Sequence, residues 1–146
     1  GVMLAARLNK TDQRAYVLLG DGELHEGQVW EAAMTAAHYK LNSVCAIVDY
    51  NKLQLDGSVD EVKTLGDLKA KWLAFGWNAI EIDGHDLEQI YNAFCTAKQY
   101  KEGPTVIIAH TVKGKGVSFM ENEVGWHCAS PTDEQLAIAL KELDEG

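Results

Sequence analysis

The chain has 146 residues, of which 47% are hydrophobic and only two are proline, which suits one globular domain with a buried core. Its formal net charge of −9 argues against nucleic acid or an anionic membrane as the main partner, because both are polyanions. The longest apolar runs are too short to span a membrane, and no signal peptide is visible. The three cysteines lack metal-type spacing, so we expect free thiols and a reducing, cytoplasmic location.

Apolar runs alternate with helical patterns along the chain. The sequence opens on what resembles the end of a helix, so we expect the polypeptide to be incomplete at its start. Short apolar, β-branched runs predict four strands, at 15–19, 43–50, 77–82 and 103–111. Apolar periodicity predicts helices at 27–41, 64–76 and 132–143, and a turn followed by a helix within 83–100. The turn-rich segments 51–57 and 113–131 are predicted loops.

Local signals mark the ends of two of these helices. Gly76 is placed to stop the helix 64–76, because glycine adopts the left-handed conformation that follows many helices. Thr132 and Gln135 have the spacing of a capping box, in which each side chain satisfies a backbone amide of the other. The two boundaries are therefore predicted from chemistry as well as from periodicity.

The order of strands and helices predicts an α/β fold with a doubly wound parallel sheet and helices on both faces. Ligands of such sheets bind beyond the carboxyl ends of the strands. The loops that would line a site are therefore 20–27, 50–57, 83–86 and 110–131, and these loops carry most of the polar residues of interest.

The loop Gly20-Asp21-Gly22 follows a predicted strand and precedes a predicted helix. Its glycines would let the backbone approach a ligand closely, and a helix N-terminus offers free N–H groups to an anion. An acid at this position makes sense if a divalent cation lies between it and phosphate groups. Asn51 closes the next strand, and the carbonyl of Leu53 could supply a third oxygen. The pattern predicts a magnesium diphosphate site at the ends of two adjacent strands.

This loop has two other interpretations. Gly-Asp-Gly by itself is a common turn. The dinucleotide-binding fingerprint would need glycine at the position of His25, and Gly27 is displaced by two residues, so that motif is excluded.

Longer stretches of the chain resemble a known family. The segment GDGELHEGQVWEAA, with VDYNKLQLDG about thirty residues on, resembles the thiamine diphosphate motif. The segments GDLKAKWLAFGW, IDGHDLEQI, HTVKGKGVSFME and GWHCASP resemble transketolases in the same order, over essentially the whole chain. Deoxyxylulose phosphate synthase and the pyruvate dehydrogenases share the Gly-Asp-Gly and Asn frame but lack these Lys-Gly-Lys-Gly and Trp-His loops in this form. The likeness is strongest to the later part of the diphosphate-binding domain, as in the shorter amino-terminal subunit of split transketolases.

The resemblance implies a set of cofactor-binding residues. Asp21, Asn51 and the Leu53 carbonyl would bind Mg²⁺ or Ca²⁺, while Gly20 and Gly22 would lie against the diphosphate of thiamine diphosphate. Each assignment transfers a family position to the residue that matches it in the motif.

Glu26 matches a family glutamate that hydrogen-bonds the cofactor-activating glutamate of a partner domain. Two close carboxylates cannot both ionise cheaply, so such a pair keeps one of them protonated. The alternative is an ordinary first-turn helix acid, which stabilises a helix by about 0.3–1 kcal/mol through the helix dipole.

Two further basic residues are candidates, and a third is interpreted as structural. His127 matches a histidine that reaches the diphosphate and the donor ketose, and its alternative is an ordinary surface-loop histidine. Lys113 matches a basic position near the site that could offset phosphate charge, and its alternative is a solvated lysine. His85 is interpreted as structural, with Asp83 and Asp86 expected to cap the following helix. The other histidines show no spacing that suggests a metal: His25, His38 and His110.

The resemblance implies transfer of a two-carbon ketol unit from a ketose phosphate to an aldose phosphate. It also implies a partner subunit that carries the pyrimidine-binding domain, and residues 1–146 would be a diphosphate-binding domain without its upstream segment, hence an incomplete thiamine diphosphate-binding fold. We expect the isolated chain to self-associate through the helix 27–41, with Trp30 and Met34 in contact, and to be inactive alone. The alternatives are a truncated, non-catalytic paralogue or fragment and an unrelated nucleotide-binding α/β protein.

Overall fold

The computed structural model describes residues 1–145. The strands and α-helices in chain order are α1 (Val2–Asn9), β1 (Ala15–Gly20), α2 (Gly27–His38), β2 (Val44–Tyr50), β3 (Leu53–Gln54), β4 (Gly57–Ser58), α3 (Val59–Lys63), α4 (Leu68–Ala74), β5 (Asn78–Asp83), α5 (Leu87–Gln99), β6 (Thr105–His110) and α6 (Asp133–Glu145). Two short 3₁₀ turns, Gly22–His25 and Val124–His127, lie in loops. A four-stranded parallel sheet in the order β1-β2-β6-β5 forms the centre of the fold, and β3 pairs with β4 in a small antiparallel hairpin.

The register of the sheet brings three strand ends to one edge. Gly20 at the end of β1 lies opposite Asp49, and Tyr50 at the end of β2 lies opposite His110. The central strand β6 is buried along almost its whole length, as expected for a parallel strand covered on both faces. The loops after β1, β2 and β6 therefore leave the sheet side by side, as the α/β prediction requires.

Helices cover both faces of the sheet, which confirms the doubly wound prediction. One face packs against α1, α2 and α4, and the opposite face packs against α5 through Ala93 and Ala97. The cover on the α5 face is uneven, because Tyr16 and Leu18 of the edge strand β1 stay 53% and 71% exposed. No helix within residues 1–145 is long and apolar enough to cross a membrane.

A cluster of aromatic rings fills the space between α2, α4 and β5. The ring of Trp30 lies 5.0 Å from that of Trp72 and 4.9 Å from that of Phe75, and its Nε1 donates to the Leu24 carbonyl at 2.8 Å. Trp30 therefore serves the chain's own core. Of the two residues expected to contact another molecule through α2, only Met34 is well exposed, at 54%.

The predicted helix 64–76 is wrong in its first third. Helix α4 begins only at Leu68, because Gly66 adopts a left-handed conformation with φ 57° and Asp67 then caps the new helix by accepting from Ala70 N at 2.8 Å. Gly76 follows α4 with φ 81°, so the predicted stop is confirmed. Residues 64–67 lie outside any helix, and α3 ends before them at Lys63; the predicted loop 51–57 contains β3 and the start of β4.

Side-chain caps bear out part of the prediction. Thr132 N donates to Gln135 Oε1 at 2.9 Å and Gln135 N donates to Thr132 Oγ1 at 3.3 Å, so the capping box forms. Asp86 caps α5 by accepting from the amides of its first turn. Asp83 does not cap α5, because its carboxylate accepts from His85 N at 2.9 Å within the turn.

All three cysteines are free thiols, as predicted. Cys45 is the second residue of β2 and is fully buried. Burial raises the pKa of its thiol to about 11, since a thiolate is poorly solvated there. Cys45 is therefore a core residue with no nucleophilic character at neutral pH.

The two buried indoles give a matched test of this core. Trp77 Nε1 donates to the Ala33 carbonyl at 3.0 Å, whereas Trp72 Nε1 has no hydrogen-bond partner within residues 1–145. We expect Trp77→Phe to lower the free energy of unfolding by about 1 kcal/mol more than Trp72→Phe, because both changes shrink the ring equally but only the former loses a hydrogen bond. Urea unfolding of the two variants measures the difference, and equal losses would contradict it.

Candidate functional site

The carboxylate of Asp21 joins the loop after β1 to the loop after β2. It is 2% exposed, and it accepts from Gly22 N at 2.7 Å through Oδ1 and from Lys52 N at 2.5 Å through Oδ2. Lys52 lies between Asn51 and Leu53 in the sequence. The structure therefore places Asp21 against the segment that holds the two other predicted cation ligands.

The electrostatic setting of Asp21 favours a cation. Burial raises the pKa of its carboxyl, the hydrogen bonds from Lys52 N and Gly22 N lower it, and the nearby carboxylate of Asp49 raises it again, for a net increase. An ionised carboxylate at this position is thus only partly compensated by the protein. A divalent cation would supply the missing positive charge, so the residues present fit a metal at this position.

The side chain of Asn51 is held from both ends. Its Oδ1 accepts from Leu53 N at 2.9 Å, and its Nδ2 donates to Asp49 Oδ2 at 3.2 Å. An amide oxygen has two lone pairs, so Oδ1 keeps one for a further ligand. The next residue, Lys52, has a left-handed backbone conformation with φ 64°. This conformation is uncommon for residues other than glycine, and residues that adopt it occur often at functional sites.

Asp49 is a residue of this site that the sequence interpretation missed. One oxygen accepts from Asn51 Nδ2, and the other accepts a short hydrogen bond from Thr111 Oγ1 at the start of the loop after β6. Asp49 therefore orients Asn51 and links it to a third loop. A signal was available, since Asp49 is the single charged residue of the otherwise apolar strand β2.

The two glycines around Asp21 face different surroundings. A Cβ at Gly22 would lie 3.0 Å from Gln54 Cβ, so the side chain of Gln54 packs directly against this backbone and favours glycine. A Cβ at Gly20 would meet no atom of residues 1–145 within 4 Å, and its amide donates to Glu23 Oε2 at 3.1 Å. The turn is therefore tight on the side of β3 and open at the end of β1.

The loop after β6 carries Lys113 and His127. The 3₁₀ turn Val124–His127 packs against β3, which puts His127 on the same side of the molecule as Asn51 and Leu53. His127 is exposed, and Lys113 is half-buried near the root of the loop. Both residues therefore lie in the loop that leaves the predicted edge of the sheet.

Glu26 occupies the N-cap position of α2. Its side chain is exposed and makes no cap hydrogen bond, so it does not act as a helix cap. Two of the other histidines have polar partners outside the proposed cation site: His25 Nε2 contacts the Lys63 carbonyl at 2.7 Å, and His110 Nε2 lies 3.3 Å from Glu81 Oε1. Residues 1–145 hold no group of three or more His, Cys, Asp and Glu side chains placed to bind a metal.

Comparison with known proteins decides the family. The family described as transketolase, thiamine diphosphate binding domain, matches residues 3–144. The chain belongs to this family. It is 43% identical to one of the subunits of the apulose-4-phosphate transketolase of Phocaeicola vulgatus over 145 residues, or 99% of the chain and 52% of that protein. It is 41% identical to the 6-deoxy-6-sulfo-D-fructose transketolase subunit SqwG of a Clostridium species, covering 99% of the chain and 53% of that protein.

Solved structures of the family have the same fold. A crystal structure of transketolase from Campylobacter jejuni superposes with a TM-score of 0.89 at 31% identity, over 97% of this chain and 23% of that one. The chain spans about half the length of the two transketolase relatives named above. The family and the fold are thereby shown, in agreement with the sequence motifs.

The raised pKa of Asp21 predicts how stability depends on pH. A carboxyl whose pKa rises above its ordinary value of 3.8 on folding binds its proton more tightly in the native state, so the contribution of Asp21 to the free energy of unfolding is greatest below pH 3.8 and falls as the pH rises through the higher native value. Carboxyls with a lowered pKa, such as Asp86 and Glu142, contribute in the opposite direction, so the contribution of Asp21 is measured as a difference from Asp21→Asn. Denaturant unfolding of both metal-free proteins between pH 3.5 and 7, roughly the carboxyl range, should show the variant gaining stability relative to the unaltered protein as the pH rises. Parallel curves for the two proteins would contradict the assignment.

Proposed function

We propose that this chain supplies the diphosphate-binding part of a transketolase, which uses thiamine diphosphate and Mg²⁺ to move a two-carbon ketol unit from a ketose phosphate to an aldose phosphate. The observation that carries the proposal is the contact of the Asp21 carboxylate with Lys52 N, between Asn51 and Leu53. Relatives at 41% and 43% identity are named as transketolase subunits for 6-deoxy-6-sulfo-D-fructose and for apulose 4-phosphate, which supports the reaction class.

In this proposal the cation is held by Asp21, Asn51 and the Leu53 carbonyl. The backbone of the Gly20-Asp21-Gly22 turn, which is open at Gly20, would receive the diphosphate beside the cation. The bound cofactor would supply the carbon that takes up the ketol unit, a chemistry for which protein side chains have no equivalent. The chain's own task is to bind and orient that group.

A local positive charge is needed because the chain as a whole carries −9. The cation supplies most of it, and Lys113 at the root of the loop after β6 adds to it. His127 would donate a hydrogen bond to the diphosphate or to the donor sugar from the loop that packs on β3. These residues together would position an anionic sugar substrate against the overall field.

A second chain with the pyrimidine-binding domain completes the proposed site. Both relatives carry the word subunit in their names, which describes chains that assemble with others. Glu26 is exposed at the start of α2 and makes no cap hydrogen bond there, so its carboxylate could share a proton with a carboxylate of a pyrimidine-domain partner. The exposed apolar residues Tyr16, Leu18 and Met34 support self-association as well, and the free cysteines support a cytoplasmic location.

The cation assignment is tested by thiamine diphosphate binding. Asp21→Ala would leave both Gly22 N and Lys52 N without an acceptor, whereas Asp21→Asn keeps one oxygen for one of them and is therefore the milder change. We expect Asp21→Asn to weaken Mg²⁺-dependent thiamine diphosphate binding about 100-fold in the assembled protein, because the variant loses the only negative charge among the three proposed ligands. Asp56→Asn, the same change at an exposed position of the next loop, is the control and should leave affinity unaltered.

Titration calorimetry with Mg²⁺ and thiamine diphosphate measures both affinities. An unchanged affinity in Asp21→Asn would show that Asp21 is not a ligand of the cation. Absence of binding by the unaltered protein with its partner would favour the non-catalytic paralogue.

The role of His127 is tested by kinetics. We expect His127→Ala to lower kcat/KM for a ketose phosphate donor by about tenfold or more in the assembled enzyme, because the donor loses a positioned hydrogen bond or proton-transfer group. The melting temperature should change little, since His127 is exposed. His38→Ala, which removes an exposed histidine from the end of α2, is the matched control. Equal values of kcat/KM in His127→Ala and His38→Ala would show that His127 is an ordinary surface residue.

A further inference from the structure

The turn between β5 and α5 is bound to the root of the loop that follows β6. Gly84 N donates to the His110 carbonyl at 2.8 Å, and Val112 N donates to His85 Nε2 at 2.8 Å. The imidazole accepts through Nε2, so it is neutral and its proton lies on Nδ1. Asp83 fixes the turn from within, because its Oδ1 accepts from His85 N.

The contact between the two segments is close. A Cβ at Gly84 would overlap Thr111 Cγ2 and would lie 3.1 Å from the His110 carbonyl oxygen, so there is no room for a side chain. The turn therefore touches Thr111 directly. Thr111 in turn donates its hydroxyl proton to Asp49, the carboxylate that orients Asn51.

The loop 111–131 is held at a second point farther along. Ser118 donates from both its N and its Oγ to the Glu142 carboxylate of α6, at 2.6 Å in each case. Lys113 lies between these two attachments. Its carbonyl accepts from Asn122 N at 2.9 Å within the loop, so Val112 is the nearest residue at which another element of the fold holds Lys113.

We propose that His85 is a positioning residue for the transketolase reaction, acting through the Val112 amide on the loop that carries Lys113 and His127. The expected effect on catalysis rests on the proposed function. The expected effect on the loop backbone rests only on the hydrogen bond from Val112 N to His85 Nε2. His85 lies on a different strand end from every residue of the proposed cation site. It touches neither cofactor nor substrate in this scheme, and it acts by fixing the backbone that follows Thr111.

Three substitutions of His85 distinguish the loss of its hydrogen-bond acceptor from the loss of the volume of its ring. Glutamine can place Oε1 close to the position of Nε2, so His85→Gln keeps an acceptor for Val112 N. His85→Asn has an acceptor that is too short to reach, and His85→Leu has none. In the assembled enzyme we expect His85→Leu and His85→Asn to lower kcat/KM for a ketose phosphate about 3- to 10-fold, in line with the loss of one hydrogen bond, and His85→Gln to restore it.

Hydrogen exchange provides the readout that does not depend on activity. The Val112 amide should exchange about tenfold faster in His85→Leu and His85→Asn than in the unaltered protein and in His85→Gln. Faster exchange with unaltered kcat/KM would overturn the positioning role and leave a merely structural bond. A loss of kcat/KM that glutamine does not rescue would overturn it as well. If the unaltered enzyme shows no thiamine diphosphate-dependent turnover, the proposed function itself fails, and that result is separate from the exchange data.

Discussion

One buried carboxylate determines the arrangement of the site. Asp21 accepts two backbone amides, one from its own turn and one from the loop after the neighbouring strand. A neutral residue could not hold both amides equally well, because a carboxylate offers two oxygens that act only as acceptors. The cost is a charge placed where water cannot solvate it, and this cost raises the pKa of Asp21. A bound cation would offset this unfavourable burial of charge. The carboxylate that orders the two loops is therefore also suited to bind a metal.

The parallel sheet makes this arrangement possible by aligning strand ends that are distant in sequence. Asp49 and Thr111 are 62 residues apart, yet the pairing of β2 with β6 sets them next to each other. A hydrogen-bonded path then runs from Thr111 through Asp49 to Asn51. Such paths restrict each side chain to one orientation, and the ligands of a cation must be fixed in this way to bind it selectively.

Elements with strong local chemistry could be predicted from the sequence. The four strands, the Gly76 stop, the Thr132 and Gln135 capping box and the adjacency of the β1 and β2 loops are all observed. The start of α4 at Leu68 was missed because the apolar pattern of 64–76 continues across Gly66, and the short helix α3 was not predicted. The contact of Asp49 with Thr111 and the contact of His85 with Val112 were missed for a different reason. They depend on β6 lying between β2 and β5, and strand order is a property of tertiary packing that no local pattern encodes.

The loop after β6 illustrates how the fold reduces the cost of binding. A Cβ at Gly114 would lie 2.5 Å from the Met120 carbonyl oxygen, and the residue has φ 71°, so the chain can close here only with glycine. Asn122 N donates to the Lys113 carbonyl at 2.9 Å, and Trp126 Nε1 donates to the Phe119 carbonyl at 2.9 Å. A loop restrained by its own backbone loses little conformational entropy when a ligand arrives. Asp21 restrains the loops after β1 and β2, so a ligand at this edge of the sheet would contact loops that are already ordered on both sides. Little of the binding free energy would then be lost to ordering the protein, and more of it would contribute to the orientation and affinity of the ligand.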